Sequence, residues 1–409
     1  MRILYLNPCG QMGGAETSLL ELLRSMRAAV PDWELWLVLG EDGPLAGKAQ
    51  ELGVRLRLAP FPRSLARTGD IAPRSVAAFG SLAWSAYGAV RYASQLATAI
   101  RQIAPDVIHT NGLKMHVLGA WSAAKATPVV WHIHDYISTR RMMGRLLRRF
   151  SNGCAAAIVN SHSVAADVHA LMPAVKTTVL YNAIDLERFS PAGDRFDLDR
   201  ACGLSPAPDG TIRVGLVATF ARWKGHKVFL QALSHLLPDA HVRGYIVGGP
   251  IYQTSGSQWT REELENEAER LGLSGKVGFT GVLDNPAAAM RALDIVVHAS
   301  TQPEPFGMVI VEAMGCGKPV IVSRAGGAQE LIDEGRTALG HAPGDDRALA
   351  SAIKRLAKDE ALRSRLGAAG RNEAIRRFDG QRLANELRGL YTALRDGSHE
   401  VTPLVASLS

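Results

Sequence analysis

The sequence predicts an α/β protein with two domains, each built around a parallel sheet. Its 409 residues are too many for one ordinary core and suit two domains of about 150 to 200 residues each. Short runs rich in Val, Ile and Leu alternate with stretches of helical periodicity, which is the order of a parallel sheet with crossover helices. Glycine loops or polar residues follow several of these runs, at the edge where open α/β sheets bind ligands.

The first half of the chain contains the predicted elements of the first domain. The predicted strands are residues 2–6, 34–39, 54–58, 107–109, 128–135, 156–161 and 178–182, and the predicted helices are 17–26, 45–51, 75–103 and 139–150. Because the strands are short and apolar, we expect helices to cover both faces of their sheet.

The second half repeats this alternation. The predicted strands are 211–217, 241–247, 277–282, 294–298 and 319–322, and the predicted helices are 262–271, 308–314 and 381–394. These elements predict a first domain over 1–182, a linker over 183–210, a second domain over 211–380, a helix over 381–395 and a loose tail over 396–409. The linker contains Asp197-Leu198-Asp199, which follows no apolar strand, so we expect it at the surface and predict no metal site.

One stretch of the second half predicts an anion site. Residues 300–307 form a loop between the strand 294–298 and a helix from Met308, and this geometry aims the backbone N–H groups of Phe306 to Val309 at the carboxyl edge of the sheet. Glu304 and Glu312 lie on either side of that point, where they could bind hydroxyl groups flanking a diphosphate, such as those of a sugar and a ribose. The alternative is that Glu304 is a solvated loop residue and Glu312 a helix residue favoured by the dipole.

The same stretch carries a resemblance to a known family. Glu304-Pro305-Phe306-Gly307, followed by Glu312-Ala313 and Gly317-Lys318-Pro319-Val320, resembles the Glu-x7-Glu signature of retaining GT-B glycosyltransferases of family 4. The resemblance implies two Rossmann-like domains facing each other across a cleft, with the last helix crossing back to the first domain. It also implies that Glu304 contacts the donor sugar, Glu312 the nucleotide ribose, and the backbone of Phe306, Gly307, Met308 and Val309 the phosphates.

Further second-domain residues follow from this resemblance. Lys224, before a glycine turn, matches the family lysine that binds the donor diphosphate. Thr219 stands where the family has a second cation, an arginine, and Arg222 lies nearby but out of register. Val282 falls in the loop that resembles the base-binding segment.

Two first-domain sites are also predicted. Gly13 and Gly14 open a helix after the first strand, which suits either a phosphate loop or a tight turn; the family loop approaches the donor diphosphate and the acceptor. His134 ends the strand 128–135, where it is either a base or a structural histidine, and it matches the family histidine near the donor sugar. His132 is the less favoured match.

Charge and cysteine content limit the partners. The net charge is +7, and residues 1–182 alone carry 19 basic and 11 acidic side chains. A basic half suits nucleic acid, anionic lipid or a phosphorylated acceptor, but no helix-turn-helix, zinc-finger or aromatic RNA-binding motif supports nucleic acid. The arginine-rich helix 139–150 is either a solvated face or an interfacial patch for an anionic membrane or a lipid-diphosphate acceptor.

The four cysteines show no paired spacing, and no stretch predicts a signal peptide or membrane span, so we expect a cytoplasmic protein, peripheral at most to the inner face of the membrane.

Together with these observations, the resemblance implies a metal-independent, retaining glycosyltransferase of the hexosyltransferase type that needs no cofactor beyond its nucleotide-sugar donor. Its acceptor would be a glycan, a lipid-linked molecule or a small molecule, as in the synthesis of cell-envelope glycans. Two alternatives remain: an epimerase or hydrolase of the same fold, or a protein that binds nucleotide-sugars without turnover.

Overall fold

The computed structural model describes residues 1–62, 76–236, 241–250 and 256–397. The chain divides into two compact units, which we call unit 1 (Met1–Ala183 with the chain from Gly380 onward) and unit 2 (Ile184–Asp379). Most of the predicted tail, and Ser75 at the start of a predicted helix, lie outside the described residues.

Unit 1 contains a parallel sheet of seven strands in the order β3-β2-β1-β4-β5-β6-β7. The strands are β1 (Arg2–Asn7), β2 (Glu34–Leu39), β3 (Arg55–Leu58), β4 (Val107–Asn111), β5 (Val129–Ile133), β6 (Ala156–Val159) and β7 (Thr177–Val179). The helices are α1 (Gly14–Ala29), α2 (Pro44–Glu51), α3 (Val76–Ile103), α4 (Leu113–Ser122), α5 (Arg141–Phe150) and α6 (His162–Leu171), with short 3-10 turns at Ile137–Thr139 and Ser151–Gly153.

Unit 2 contains a second parallel sheet, of six strands in the order β10-β9-β8-β11-β12-β13. The strands are β8 (Ile212–Val217), β9 (Val242–Val247), β10 (Val277–Gly281), β11 (Ile295–His298), β12 (Val320–Ser323) and β13 (Leu339–His341). The helices are α7 (Leu198–Ala201), α8 (His226–Ser234), α9 (Arg261–Arg270), α10 (Pro286–Ala292), α11 (Met308–Gly315), α12 (Asp346–Lys358) and α13 (Glu360–Arg377), with 3-10 turns at Arg222–Lys224 and Gly327–Leu331. The chain then returns to unit 1 with α14 (Gly380–Arg395).

Alternation along β1 shows how the sheet of unit 1 divides its core. Ile3 and Tyr5 pack into one apolar cluster, with α1, α2 and α14, whereas Leu4 and Leu6 pack into a second cluster, with α3 to α6, on the other face. A strand covered on both faces must be apolar at every position, which is why these strands have the continuous Val, Ile and Leu runs seen in the sequence. No helix among the described residues is long and apolar enough to cross a bilayer.

Several predicted boundaries differ from the structure at polar residues. The strand predicted over 128–135 is Val129–Ile133, and the one predicted over 178–182 ends at Val179. The helix predicted from residue 139 begins as a 3-10 turn and becomes α-helical only at Arg141. The three-residue edge strand β13 was not predicted, because so short a run has no periodicity of its own.

The predicted surface position of Asp199 was wrong. Asp199 is 6 % exposed, and its carboxylate accepts hydrogen bonds from Arg243 (2.6 Å) and from the Tyr245 hydroxyl (2.6 Å). Its second oxygen accepts from the backbone N–H of Ala207 at 3.0 Å. Asp199 therefore connects α7 to β9 and is buried although no apolar strand precedes it in the sequence.

Candidate functional site

Glu304 lies in the loop between β11 and α11 and is buried, with 7 % exposure. Its Oε2 accepts hydrogen bonds from His298 Nε2 (2.6 Å) and Ser300 Oγ (2.7 Å), and its Oε1 accepts one from Lys224 Nζ. Desolvation favours the neutral acid, but the charge of Lys224 and then His298 outweigh it, so the pKa of Glu304 lies well below its usual range. The carboxylate is therefore ionised and held in one orientation.

Lys224 is positioned by a close contact between two loops. It ends the 3-10 turn before Gly225, whose φ is +79°, and a Cβ at Gly225 would lie 1.8 Å from the Ala299 carbonyl oxygen. Only glycine fits this backbone and this spacing. The N–H of Thr301 donates to the Trp223 carbonyl at 2.7 Å, which holds the same two loops together. Lys224 is thus fixed beside Glu304 although the two are 80 residues apart.

The N-terminus of α11 follows Glu304 directly. Gly307 precedes it with a φ of +108°, and no side chain caps the helix at this position. In a helix that begins this way, the first-turn N–H groups and the positive end of the dipole face outward from the N-terminus. The backbone of Phe306, Gly307, Met308 and Val309 thus lies where the sequence analysis predicted a phosphate site.

Glu312 is in the opposite state from Glu304. Glu312 is the fifth residue of α11, and the residue as a whole is partly exposed. Desolvation of its carboxyl group by the surrounding protein raises the pKa to about 7, while the charge of Arg188 opposes this shift. A carboxyl group with this pKa is close to half protonated at neutral pH. It can therefore both donate and accept hydrogen bonds, which suits the vicinal hydroxyls of a ribose.

The remaining predicted residues of unit 2 follow the carboxyl ends of their strands. Thr219 is partly exposed after β8, and Val282 is 63 % exposed after β10. Arg222 pairs with Glu263 at 3.2 Å, donates to the Gly256 carbonyl and lies 3.8 Å from the centre of the Trp259 ring. These contacts bind the Arg222 guanidinium to the neighbouring loop and helix, and they give no support for a role in place of the missing arginine.

The glycine loop of unit 1 presents its backbone openly. Gly13 caps α1 in an extended conformation (φ −117°), and Gly14 is the first helical residue. A Cβ at Gly14 would meet no protein atom within 4 Å, so Gly14 is not required by packing. Gly14 therefore leaves its backbone accessible, whereas a Cβ at Gly13 would lie 2.9 Å from Oε2 of Glu16.

His134 and His132 lie at the carboxyl end of β5 in different surroundings. His134 is partly exposed, and its Nε2 lies 2.6 Å from Oδ1 of Asn111. His132 is 2 % exposed and contacts His109 through ring nitrogens 3.1 Å apart. Burial lowers the pKa of His134 to about 4, so its ring is neutral at pH 7. Of the two histidines, His134 is the one that a ligand can reach.

The residues that support these side chains were not predicted from the sequence. They are His298 and Ser300, which bind Glu304, and Asn7, whose side chain bonds to Asn111. The signal for each was a polar residue at the end of an apolar strand. Within the described ranges, no group of three or more His, Cys, Asp or Glu residues could hold a metal ion.

Two family models match the chain. The model described as "Glycosyltransferase Family 4" matches residues 12–188, and the model described as "Glycosyl transferases group 1" matches residues 205–373.

Curated relatives carry glycosyltransferase names. D-inositol 3-phosphate glycosyltransferase of Corynebacterium jeikeium is 34 % identical over 224 residues, which are 53 % of this chain and 51 % of that one. N-acetyl-alpha-D-glucosaminyl L-malate synthase of Bacillus anthracis is 25 % identical over 315 residues, 74 % of this chain and 79 % of that one. The chain spans about half the length of the inositol-phosphate relatives that it matches.

Among solved structures, HepE of Anabaena in complex with UDP has a TM-score of 0.78 at 26 % identity, covering 96 % of this chain and all of that one. The same protein has been solved with UDP-glucose, with a TM-score of 0.77 and 26 % identity over 96 % of this chain and all of that one. These likenesses agree with the two parallel sheets and confirm the predicted GT-B fold with its two Rossmann-like domains. With one model matching each half of the sequence, the chain belongs to the group 1, family 4 glycosyltransferases.

Proposed function

We propose that the protein transfers a sugar, with retention of the anomeric configuration, from a nucleotide-sugar to a glycan, lipid-linked or small-molecule acceptor. The observation that carries this proposal is the ionised Glu304 carboxylate, bound by Lys224, His298 and Ser300 next to the N-terminus of α11. HepE, at 26 % identity, was solved with UDP-glucose, which supports a nucleotide-sugar as the donor.

Each group has a role that its surroundings suit. The Glu304 carboxylate accepts hydrogen bonds from donor sugar hydroxyls, and Glu312 binds the ribose. Lys224 and the α11 N-terminus stabilise the negative charge that grows on the diphosphate as the glycosidic bond breaks. A diphosphate oxygen then accepts the proton of the attacking acceptor hydroxyl on the same face of the sugar. The role proposed for His134 of unit 1 is to bind a hydroxyl of a substrate. These groups neutralise the diphosphate without a metal ion.

The test combines donor binding with product analysis. Nucleotide-sugars, beginning with UDP-glucose, are screened by thermal shift, and the donor that binds is then incubated with candidate acceptors in excess EDTA. We expect acceptor-dependent product whose anomeric configuration, measured by proton NMR, matches the donor. An inverted product would contradict retention, and activity lost in EDTA but restored by Mg²⁺ or Mn²⁺ would contradict metal independence.

Thr219 favours a second candidate, a protein that binds nucleotide-sugars without transferring the sugar. A threonine replaces the arginine expected there, and Arg222 is bound to Glu263 instead, so one diphosphate cation of the family has no counterpart at these positions. Donor binding without product from any acceptor would support this candidate. Donor consumption without an acceptor would instead indicate a hydrolase or an epimerase.

We also propose that α5 contacts an anionic membrane that carries the acceptor, at the inner face of the membrane. Met142 and Leu146 on this helix are 54 % and 41 % exposed, and Trp121 of α4, 46 % exposed, lies against Phe150 with ring centres 6.2 Å apart. Five exposed arginines surround this apolar patch: Arg140, Arg141, Arg145, Arg148 and Arg149. Arg140 pairs with Asp135 at 3.4 Å. Exposed apolar side chains beside arginines are typical of helices that lie in a membrane interface.

Vesicle sedimentation tests the membrane contact. Each arginine near an anionic surface contributes about 1 kcal/mol, so binding should weaken as salt rises and should fall strongly when all five arginines become Gln. The matched control changes five exposed cations of unit 2 to Gln: Lys276, Arg347, Arg355, Lys358 and Arg365. Equal loss of binding in both variants would indicate net charge alone, and no binding by the wild type at low salt would indicate a soluble acceptor.

A further inference from the structure

Three polar side chains form a row across the carboxyl ends of neighbouring strands in unit 1. Asn7 ends β1, Asn111 ends β4, and His134 follows β5. The strand register brings them together, because Leu6 pairs with Thr110 and Asn111 pairs with His132. Asn7 and Asn111 are fully buried, whereas His134 is partly exposed. The row therefore leads from the interior of the sheet to an accessible imidazole.

The orientation of the first amide is fixed by a group that can only accept. Nδ2 of Asn7 donates to the Cys9 carbonyl oxygen and lies 3.5 Å from Oε1 of Glu16 in the first turn of α1. A carbonyl has no proton to give, so the nitrogen of Asn7 must face the glycine loop. Its oxygen must then face Asn111.

The same logic continues to the histidine. Nδ2 of Asn111 donates to Oδ1 of Asn7 at 2.6 Å, which turns Oδ1 of Asn111 toward His134 Nε2, also at 2.6 Å. An amide oxygen only accepts, so the proton between them belongs to Nε2 of His134. A neutral imidazole carries one N–H, which leaves Nδ1 of His134 with a lone pair.

We propose that Asn7 and Asn111 are positioning residues that hold His134 as its Nε2–H tautomer and present its bare Nδ1 to a substrate hydroxyl. The role toward the substrate rests on the proposed function, whereas the tautomer does not. His134 then accepts a hydrogen bond, so the group that it orients must be a donor, such as a hydroxyl of the acceptor or of the donor sugar. Through Asn7, the same row of hydrogen bonds links the imidazole of His134 to the loop of Gly13 and Gly14.

The surroundings of His134 keep the ring neutral. The amide of Asn111 faces one ring nitrogen, the His132 ring lies with its centre 4.0 Å away, and Asn160 donates to the His134 backbone carbonyl at 3.4 Å. Burial lowers the pKa of His132 and His109 as well as that of His134, so neighbouring imidazoles supply no positive charge at pH 7. Under these conditions, the tautomer is set by the hydrogen-bond chain.

NMR of the full chain with ¹⁵N-labelled histidine tests the tautomer without any activity. The His134 signals, assigned by their loss in His134→Gln, should show a neutral ring with the proton on Nε2 at pH 7. Asn111→Leu should abolish this preference, whereas Asn160→Ala, which removes only the contact to the backbone, should keep it. A wild-type ring that carries its proton on Nδ1, or a tautomer unchanged in Asn111→Leu, would overturn the proposal.

A second variant keeps the proposal testable if Asn111→Leu does not fold. Asn111→Asp has the same shape but places a negative charge at Nε2, which should raise the pKa of His134 in the NMR titration and move the acidic limb of the pH–rate profile to higher pH. A protonated ring cannot accept a hydrogen bond at Nδ1, so we expect kcat of Asn111→Asp to fall about 10- to 100-fold with KM little changed, which is the size of effect that misplacement of a reacting group has. An unshifted His134 titration would contradict the contact, and absence of transfer by any variant would count against the proposed function alone.

Discussion

Lys224 is bound to Glu304, so the proposed binding of the donor diphosphate requires Lys224 to share its ammonium group with that carboxylate or to leave it. Removing a preorganised cation from a site where charge develops costs turnover more than binding. We predict that Lys224→Ala lowers kcat by about 10²-fold or more while the protein stays folded.

The control for this prediction is Lys227→Ala. Lys227 is three residues further along, and its Nζ lies 4.4 Å from the centre of the Trp259 ring. It should retain nearly all activity. If Lys224→Ala turns over like the wild type in the same assay, the assignment of Lys224 to the diphosphate is wrong.

Glu312 makes stability depend on pH in an unusual direction for a carboxylate. Burial raises its pKa from 4.5 to about 7, so the folded state binds the proton more tightly than the unfolded chain does. The stabilisation is complete below about pH 4.5 and is lost as the pH rises through 7. We therefore predict that Glu312→Gln, which stays neutral, stabilises unit 2 at pH 8 by about 1 to 3 kcal/mol but has little effect at pH 5.

Urea unfolding at the two pH values measures this difference. Glu269→Gln, at an exposed carboxylate of α9, is the matched control and should show no pH-dependent change. A constant difference between Glu312→Gln and the wild type at pH 5 and pH 8 would show that the carboxyl group is not perturbed.

Local structure could be predicted where the signals are close together in the sequence. The loop and helix around Glu304 lie within one continuous stretch, so their positions followed from the sequence, whereas the anion site there stays a prediction. His298 could not be assigned, because its partner is reached only after the loop folds back, and it sits in an apolar strand. The position of the Arg222 guanidinium depends on its contact with Glu263, which is 41 residues away, and no local sequence pattern reveals this contact.

At the level of elements, α7 depends on a charge that is almost completely buried. Asp199 neutralises Arg243, whose side chain is 11 % exposed, and also bonds to Arg213 at 3.4 Å. Deleting one partner of a buried ion pair leaves the other charge uncompensated, which costs about 3 to 5 kcal/mol. We predict a loss of this size in the unfolding free energy of unit 2 for Asp199→Ala.

Asp197 provides the comparison. It lies two residues earlier and caps α7 by accepting from the Arg200 N–H at 3.0 Å, so Asp197→Ala should cost only about 1 kcal/mol in the same unfolding measurement. Equal effects of the two substitutions would show that burial of the Asp199 pair does not decide its contribution.

Strands were easier to predict than helices or the ends of elements. The apolar runs identified most strands, since a sheet covered on both faces requires them. The predicted strand ends differ from those in the structure because polar residues such as Asp135 and Ser161 follow strands without belonging to them. Periodicity does not separate the last strand residue from the first loop residue. The burial of Asp199 was not predicted, because the sequence shows its charge but not the partners that bind it in the interior.

At the scale of the whole molecule, unit 1 is assembled from two distant parts of the chain. Leu383, Leu387, Leu390 and Tyr391 of α14 are buried in the same apolar cluster as Ile3 and Leu22, and the Tyr391 hydroxyl lies 2.7 Å from His109 Nδ1. Burial of four such side chains is worth about 6 to 12 kcal/mol, which is comparable with the total stability of a domain.

Truncation after Asp379 should therefore unfold unit 1 and leave unit 2 folded. Thermal unfolding should lose one transition, and limited proteolysis should degrade residues 1–183 while 184–379 resist. A chain truncated after Asp396, which keeps α14, is the control and should behave like the full protein. Retention of both transitions without α14 would show that unit 1 does not need it.

The return of α14 to unit 1 also governs the order in which the nascent chain can fold. Residues 1–183 leave the ribosome first, yet the helix that completes their core emerges about 200 residues later, after all of unit 2. At about 5 to 20 residues per second, that is a delay of roughly 10 to 40 seconds during which the apolar face of β1 and α1 is incompletely covered. Unit 2 can thus finish folding before unit 1, and we expect chaperones to bind residues 1–183 during this delay rather than unit 2.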